Sequence, residues 1–324
     1  MSRAVAKILL VVASTATTII AAELVARWFN VGSEFVRVNS LSGVPTRTVD
    51  GVVLWDDAHP RTSSEDIRRV AAARDAFKIV GLGDSIMYGT DQPKENTYLE
   101  HARGVLSTRS ERPVEILNLA VPGYNTVQEN AVYKEIDGII QPDLVLLHFW
   151  GDDIHQFRVS GGYVVDVGDL SADGRLVVRA LPVPPRINDF LLLHSRLYDL
   201  LTHVVAANRT RGQPPDWTTV SKPLADIHAR VQRAGGRLIV LASPQFNGPR
   251  PTSPPDLPIL RKIASEEGVE VIDLTEWLDG AETKDIAIDT CCHFNAEGHR
   301  RVGDHLVEYL LAHDLKPAAG ASAR

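Results

Sequence analysis

Short apolar runs alternate with amphipathic, charged stretches along most of the chain, and this alternation sets the expected fold. Phe77–Leu82 (FKIVGL), 114–119 (VEILNL), Leu144–Phe149 (LVLLHF), Arg237–Ala242 (RLIVLA) and 269–274 (VEVIDL) each read as a strand. Runs of this length suit strands buried on both faces. Helices are expected between them: at 63–76, 97–109, from Asn125 or Thr126 to about Ile140, at 221–234, up to Glu267, and at 296–312. Asn125 or Thr126 can cap the third of these, and Pro142 with Asp143 stops it. Five strands alternating with helices predict a three-layer α/β/α architecture around a five-stranded parallel sheet, with both faces covered.

Two stretches break the rhythm. In 156–222, the runs 163–165 and 176–178 flank Asp173-Gly174 and read as a small hairpin. A proline cluster at 182–185 and an amphipathic helix near 188–207 follow. This segment is expected to be an insertion over the sheet edge, where substrate selection could reside. The other break is the amino terminus. Arg3 and Lys7 precede residues 8–22, which carry no charge, and Glu23, Arg27, Trp28 and Phe29 follow. Fifteen residues make a helix of roughly 22 Å, short of the ~30 Å hydrocarbon core. The expectation is an uncleaved signal anchor, with secretion after signal cleavage as the alternative. Basic residues ahead of the run place the following domain outside the cytoplasm, periplasmic or extracellular. The expected division is therefore 1–29 as signal anchor or signal peptide and 30–76 as a lead-in segment. A catalytic domain follows over 77–315, with its insertion at about 156–222, and then a disordered tail at 316–324.

Composition narrows the partners. Of 324 residues, 34 are basic and 41 acidic, a net charge of −7, so a nucleic-acid partner has no electrostatic support. The two cysteines, Cys291 and Cys292, are adjacent and give no disulfide framework. Three consecutive residues, Cys291, Cys292 and His293, rarely close one tetrahedral metal site, so no metal is expected and both cysteines are read as buried packing groups. His148, His155 and His299 are read as structural or surface residues, and Trp150 as a wall of the cleft or core.

The chemistry gathers at strand ends. FKIVGLGDSIMYG, residues 77–89, is a buried strand running into a tight turn. Gly81 and Gly83 permit close approach there. Asp84 and Ser85 fall where a helix begins and its first N–H groups are unpaired. A serine at the carboxyl edge of a parallel sheet lies where such folds bind ligands. Gly-Asp-Ser alone is an ordinary turn and cap; here it follows a strong strand and has partners further along. The elbow G-x-S-x-G is not matched, because Met87 takes its last position. Gly123 lies in a glycine loop after the second strand, Gly151-Asp152-Asp153 ends the third, and Asp289 and His293 occupy the last loop, DTCCHFNAEG.

These four segments, in this order over about residues 77 to 312, resemble the GDSL/SGNH hydrolase family. The resemblance implies a flavodoxin-like fold and a serine esterase. Ser85 is then the nucleophile and a backbone oxyanion donor, and Gly123 a second donor. His293 is the base and Asp289 its orienting acid. Asp152 stands where the family has an asparagine oxyanion donor. Asp289 precedes His293 by four residues instead of the family's three. The apolar run closing in Glu23-x-x-x-Arg27 is similar to that of membrane-anchored bacterial members, so a membrane is an expected partner through the N-terminal helix. No cofactor is implied. The implied substrate is an ester on an envelope glycan, a lipid or a small molecule. Acyl transfer to an envelope polysaccharide by the same residues is an alternative, as is a non-catalytic glycan-binding module that keeps the fold.

Overall fold

The computed structural model describes residues 2–29, 46–55, 60–154, 168–170, 176–178, 183–210 and 214–315. The expected strand at 163–165, the Asp173-Gly174 turn, His155, the tail 316–324 and most of the lead-in before residue 46 lie outside the described residues, as does the side chain of Asp152. The chain forms two compact units, one of residues 1–48 with 155–215, the other of 49–154 with 216–324.

The larger unit carries the sheet. Its strands are β1 (Phe77–Leu82), β2 (Val114–Asn118), β3 (Leu144–Phe149), β4 (Arg237–Ala242) and β5 (Glu270–Asp273). All pair in parallel, in the order β2-β1-β3-β4-β5. Alternate residues feed opposite faces, as the pleat requires. On one face Ile79, Leu144, Leu146 and Ile239 share a cluster with Leu99 and Leu106 of the helix Tyr98–Arg109 and with Val302 and Leu306 of Ala296–His313. On the other, Val80, Val145 and Val240 meet Val132 of Thr126–Ile136, Leu224 of Thr218–Arg233 and Leu260 of Leu257–Glu266. Burying both faces explains why the strands read as largely apolar runs, in which polar side chains such as Lys78 and His148 are themselves buried.

Element ends shift from the expected ones for local reasons. β2 stops at Asn118, whose side-chain oxygen accepts the Ala120 N–H at 3.1 Å and turns the chain out of the ladder. The helix after it ends at Ile136, and Gly138 follows with φ +80°. The first helix before β1 spans only Ser64–Ala72, fixed by a capping box between Ser63 and Asp66.

The smaller unit holds the helix Arg3–Trp28, which is the one helix among the described residues long and apolar enough to cross a membrane. At 26 residues it spans roughly 39 Å, longer than the uncharged run alone suggests. It continues through Glu23 and Arg27, which pair at 2.8 Å. Gly168–Leu170 pairs antiparallel with Leu176–Val178, while the expected partner 163–165 lies outside the described residues. The amphipathic helix expected near 188–207 is two helices, Pro185–His194 and Arg196–Thr210, broken at Ser195. At the break Ser195 Oγ accepts the Tyr198 N–H at 3.1 Å, a local cap, and Glu23 closes on the same turn. Its carboxylate accepts the Ser195 hydroxyl at 2.9 Å and the backbone N–H groups of Arg196 at 2.9 Å and Leu197 at 3.0 Å. It thus serves the first turn of the second helix as a cap.

Candidate active site

Ser85 opens a four-residue helix, Ser85–Tyr88, directly after β1. Asp84 caps it by accepting the Ile86 N–H at 2.8 Å. Two glycines make the turn possible. A Cβ on Gly81 would sit 2.8 Å from Met87 Sδ, and one on Gly83 would sit 2.9 Å from Met87 Cβ and 3.1 Å from His148 Cβ. Met87, which departs from the G-x-S-x-G elbow, is therefore the buried plug folded back under the turn. Arg61 holds the far end. Its guanidinium donates to the carbonyls of Tyr88, Gly89 and Gln92 and lies 4.1 Å over the Tyr88 ring. Carbonyls left over at a helix end attract a cation in this way.

The loop after β2 is tied to the same turn. Leu119 and Val121 donate to the carbonyls of Gly81 and Gly83 at 2.9 and 3.0 Å. Asn118 donates its amide to the Met87 carbonyl at 3.0 Å. Gly123 has φ +81°, a left-handed conformation that favours glycine, and a Cβ there would lie 3.4 Å from the Trp55 ring. Tyr124 anchors the loop by donating its hydroxyl to the Trp55 carbonyl at 2.6 Å, and accepts the Trp55 N–H at 3.1 Å. Among the described residues, no acceptor meets the N–H of Ser85 or of Gly123.

The last loop brings the remaining groups in. Residues 287 and 294 form an antiparallel bridge, and Ile288 donates to the His293 carbonyl at 3.1 Å. At its tip His293 Nε2 lies 2.8 Å from Ser85 Oγ, and His293 Nδ1 lies 2.5 Å from Asp289 Oδ2. The other Asp289 oxygen accepts the N–H groups of Cys291, Cys292 and His293 at 2.9, 2.9 and 3.2 Å. That turn takes up the one extra residue between Asp289 and His293. Burial acts to raise the Asp289 pKa, but the His293 hydrogen bond and the N–H groups of Cys292 and Cys291 outweigh it and hold the carboxyl below its usual range. The structure thus joins Ser85, His293 and Asp289 in one hydrogen-bonded chain. Asp285, the nearest competing acid in sequence, accepts the Asn295 amide through its backbone carbonyl.

Asp152 lies in the turn Gly151–Ile154 that follows β3. Its neighbour Asp153 is fully buried and accepts the Trp150 N–H at 2.9 Å. Burial, then the charges of Glu129 and Asp84, push the Asp153 carboxyl well above its usual range. Glu129 is likewise driven up by burial and by Asp84, and neither of its oxygens has a hydrogen-bond partner among the described residues. Buried acids without partners favour the neutral form. His148 and His299 are core residues, each lowered to about 3 chiefly by burial. The Tyr98 ring stacks on His299, and its hydroxyl lies 3.0 Å from His148 Nδ1. Trp150 is buried in the core. Of the two cysteines only Cys292 is buried; Cys291 is exposed, which corrects the reading of both as packing groups.

Sequence reasoning missed Arg61, Trp55, Asn118 and Glu129. Arg61 and Trp55 fall in a lead-in of irregular pattern and carry no motif signal. Asn118 lies inside the expected strand 114–119 and Glu129 inside the expected helix after it, and neither carries a signal of its own.

A parallel α/β sheet with a serine, histidine and aspartate linked at its carboxyl edge has the arrangement of a serine hydrolase, and the family match makes the bond it cleaves an ester. The chain belongs to the GDSL-like lipase/acylhydrolase family, whose model matches residues 82–301. No curated protein matches it. Among solved structures it is similar to TesA, at 11% identity over 72% of this chain and 97% of that one, with a TM-score of 0.45. It is also similar to the lipase/acylhydrolase from Enterococcus faecalis, at 16% identity over 74% and 98%, with a TM-score of 0.44. A third is Axe2, an acetylxylan esterase from Geobacillus stearothermophilus, at 15% identity over 74% and 94%, with a TM-score of 0.44.

Proposed function

We propose that the protein is a serine esterase or acyl hydrolase that cleaves a carboxylic ester on a cell-envelope glycan, a lipid or a small molecule. The observation that carries this reading is the unbroken chain from Ser85 Oγ through the His293 ring to Asp289. In the proposed reaction Ser85 Oγ attacks the ester carbonyl carbon while its proton passes to His293 Nε2. Asp289 accepts from Nδ1–H, fixes the tautomer and stabilises the imidazolium. The N–H groups of Ser85 and Gly123 receive the oxyanion. Collapse of the tetrahedral intermediate breaks the ester C–O bond, and His293 returns the proton to the leaving alkoxide. Water, deprotonated by His293, then attacks the acyl-enzyme and frees the acid and Ser85. A module that only binds glycan has no need of a serine hydrogen-bonded to an oriented imidazole, so the geometry favours catalysis.

We further propose that Arg3–Trp28 anchors the protein, with the catalytic unit outside the cytoplasm. The length and hydropathy of the helix and the basic Arg3 and Lys7 at its start support this.

The test of the reaction is hydrolysis of a short p-nitrophenyl ester. Ser85→Ala should lower kcat by about 10⁶-fold, the scale of nucleophile loss in comparable triads, with the melting temperature little changed. Full activity in the purified variant would remove the serine mechanism.

A further inference from the structure

The last loop holds a second set of donors at the same place. Cys292 Sγ lies 3.9 Å from His293 Nδ1, on the ring edge that faces Asp289. One ligand atom each from Asp289, Cys292 and His293 lies within 4.8 Å of the others. The thiol is buried, whereas the Asp289 side chain is 38% exposed and His293 22%, so the cluster is open to solvent on one side.

These spacings approach those of a bound zinc-like ion. Zn–S of about 2.3 Å and Zn–N of about 2.1 Å at a tetrahedral angle put sulfur and nitrogen about 3.6 Å apart. The observed 3.9 Å needs only a small closure. The same geometry puts a carboxylate oxygen about 3.4 Å from the nitrogen. Asp289 Oδ2 now lies 2.5 Å from that nitrogen, so it must withdraw by about 1 Å while Oδ1 keeps the three N–H groups of the turn. Thiolate and imidazole together select zinc and cadmium over magnesium or calcium.

We propose that Asp289, Cys292 and His293 form an inhibitory site for a soft divalent cation, Zn²⁺ or Cd²⁺. The binding step needs only these residues; the inhibition rests on the esterase reading above. On binding, the Cys292 thiol loses one proton to solvent. The His293 proton leaves Nδ1, which becomes a metal ligand, and the neutral ring carries its proton on Nε2. That nitrogen then donates toward Ser85 Oγ and is unable to take its proton. The base is blocked without the ion touching the serine. The residue that lengthens the Asp-to-His spacing is thus part of what places a thiol where the orienting proton sits.

The experiment uses the full chain in detergent, without a histidine tag, titrated with Cd²⁺. Binding is read from the ultraviolet thiolate-to-cadmium charge-transfer band, and inhibition from ester hydrolysis relative to each protein's own metal-free rate. One Cd²⁺ per chain should give the band and the loss of hydrolysis with the same midpoint. Mg²⁺ should do neither. Cys292→Ala should lose the band and shift the inhibition midpoint at least tenfold, and Cys291→Ser should retain both. Cys292→Ser, a closer fit to the buried space, serves if the alanine variant fails to fold. Absence of the band in the wild type, equal sensitivity of the Cys292 variants, or stoichiometric binding without inhibition would each overturn the proposal. The band is read independently of activity, so a chain that binds Cd²⁺ through Cys292 but hydrolyses nothing would refute the esterase reading and leave the metal site standing.

Discussion

Asp289 illustrates how a motif departure resolves at the level of single residues. Its sequence distance from His293 fits the family pattern poorly, yet three N–H groups fold the loop so that its free oxygen reaches the ring. Asp289→Asn should lower kcat on the order of 10⁴-fold by disturbing the imidazole tautomer, while Asp285→Asn stays near wild type. The reverse pattern would show that the orienting acid is misassigned. Because the Asp289 carboxyl is held low, its contribution is complete above the ordinary carboxylate value of 3.8 and is lost only as pH falls through the lower folded value. Asp152 poses the opposite question. We propose that Asp152 takes the place of the family's asparagine; a carboxylate there only accepts hydrogen bonds, and a missing oxyanion donor costs about 2.7–4 kcal/mol. Asp152→Asn should therefore raise kcat on a small ester between pH 5 and 9. A clear fall at every pH would assign the carboxylate a role of its own.

At the scale of elements, the central strands were legible because burial on both faces leaves them largely apolar; β1, β3 and β4 fall on the expected residues. At the break, Ser195 Oγ accepts the Tyr198 N–H as a local cap, but the Glu23 carboxylate that closes on the same turn lies 172 residues away and was not legible. Nor was the extension of the N-terminal helix past its uncharged run, because Glu23 and Arg27 satisfy one another on its surface. The helix Thr126–Ile136 hides a third such feature. It buries Glu129 without a hydrogen-bond partner among the described residues, close enough to Asp153 and Asp84 to shift with them. With its folded pKa well above the ordinary 4.5, native Glu129 keeps a proton that the unfolded chain releases. Stability therefore falls as pH rises from about 4.5 toward the folded value, by up to about 1.4 kcal/mol per pH unit. Glu129→Gln cannot ionise and should melt at a higher temperature than wild type at pH 8. The two should converge near pH 4. An unchanged slope with pH would show that Glu129 is not the neutral group.

For the whole molecule, the segments of Ser85, Asp289 and His293, which the structure links, were readable in order, whereas the scaffold that aims them was not. Arg61, Trp55 and Tyr124 act through backbone carbonyls and ring packing, contacts that leave no spacing signature. The account also assigns a membrane address. The intact chain should sediment with membranes, and its catalytic unit should be cut by protease added outside the cell. Recovery of the whole chain in the cytosolic fraction would contradict the anchor. The central claim, an activated serine at position 85, is tested most directly by covalent labelling. A fluorophosphonate reacts with a serine only when a base has made it nucleophilic. The account predicts one label per chain, on Ser85, absent from Ser85→Ala and strongly reduced in His293→Ala. An unlabelled wild-type chain, or a label that persists in Ser85→Ala, would contradict it.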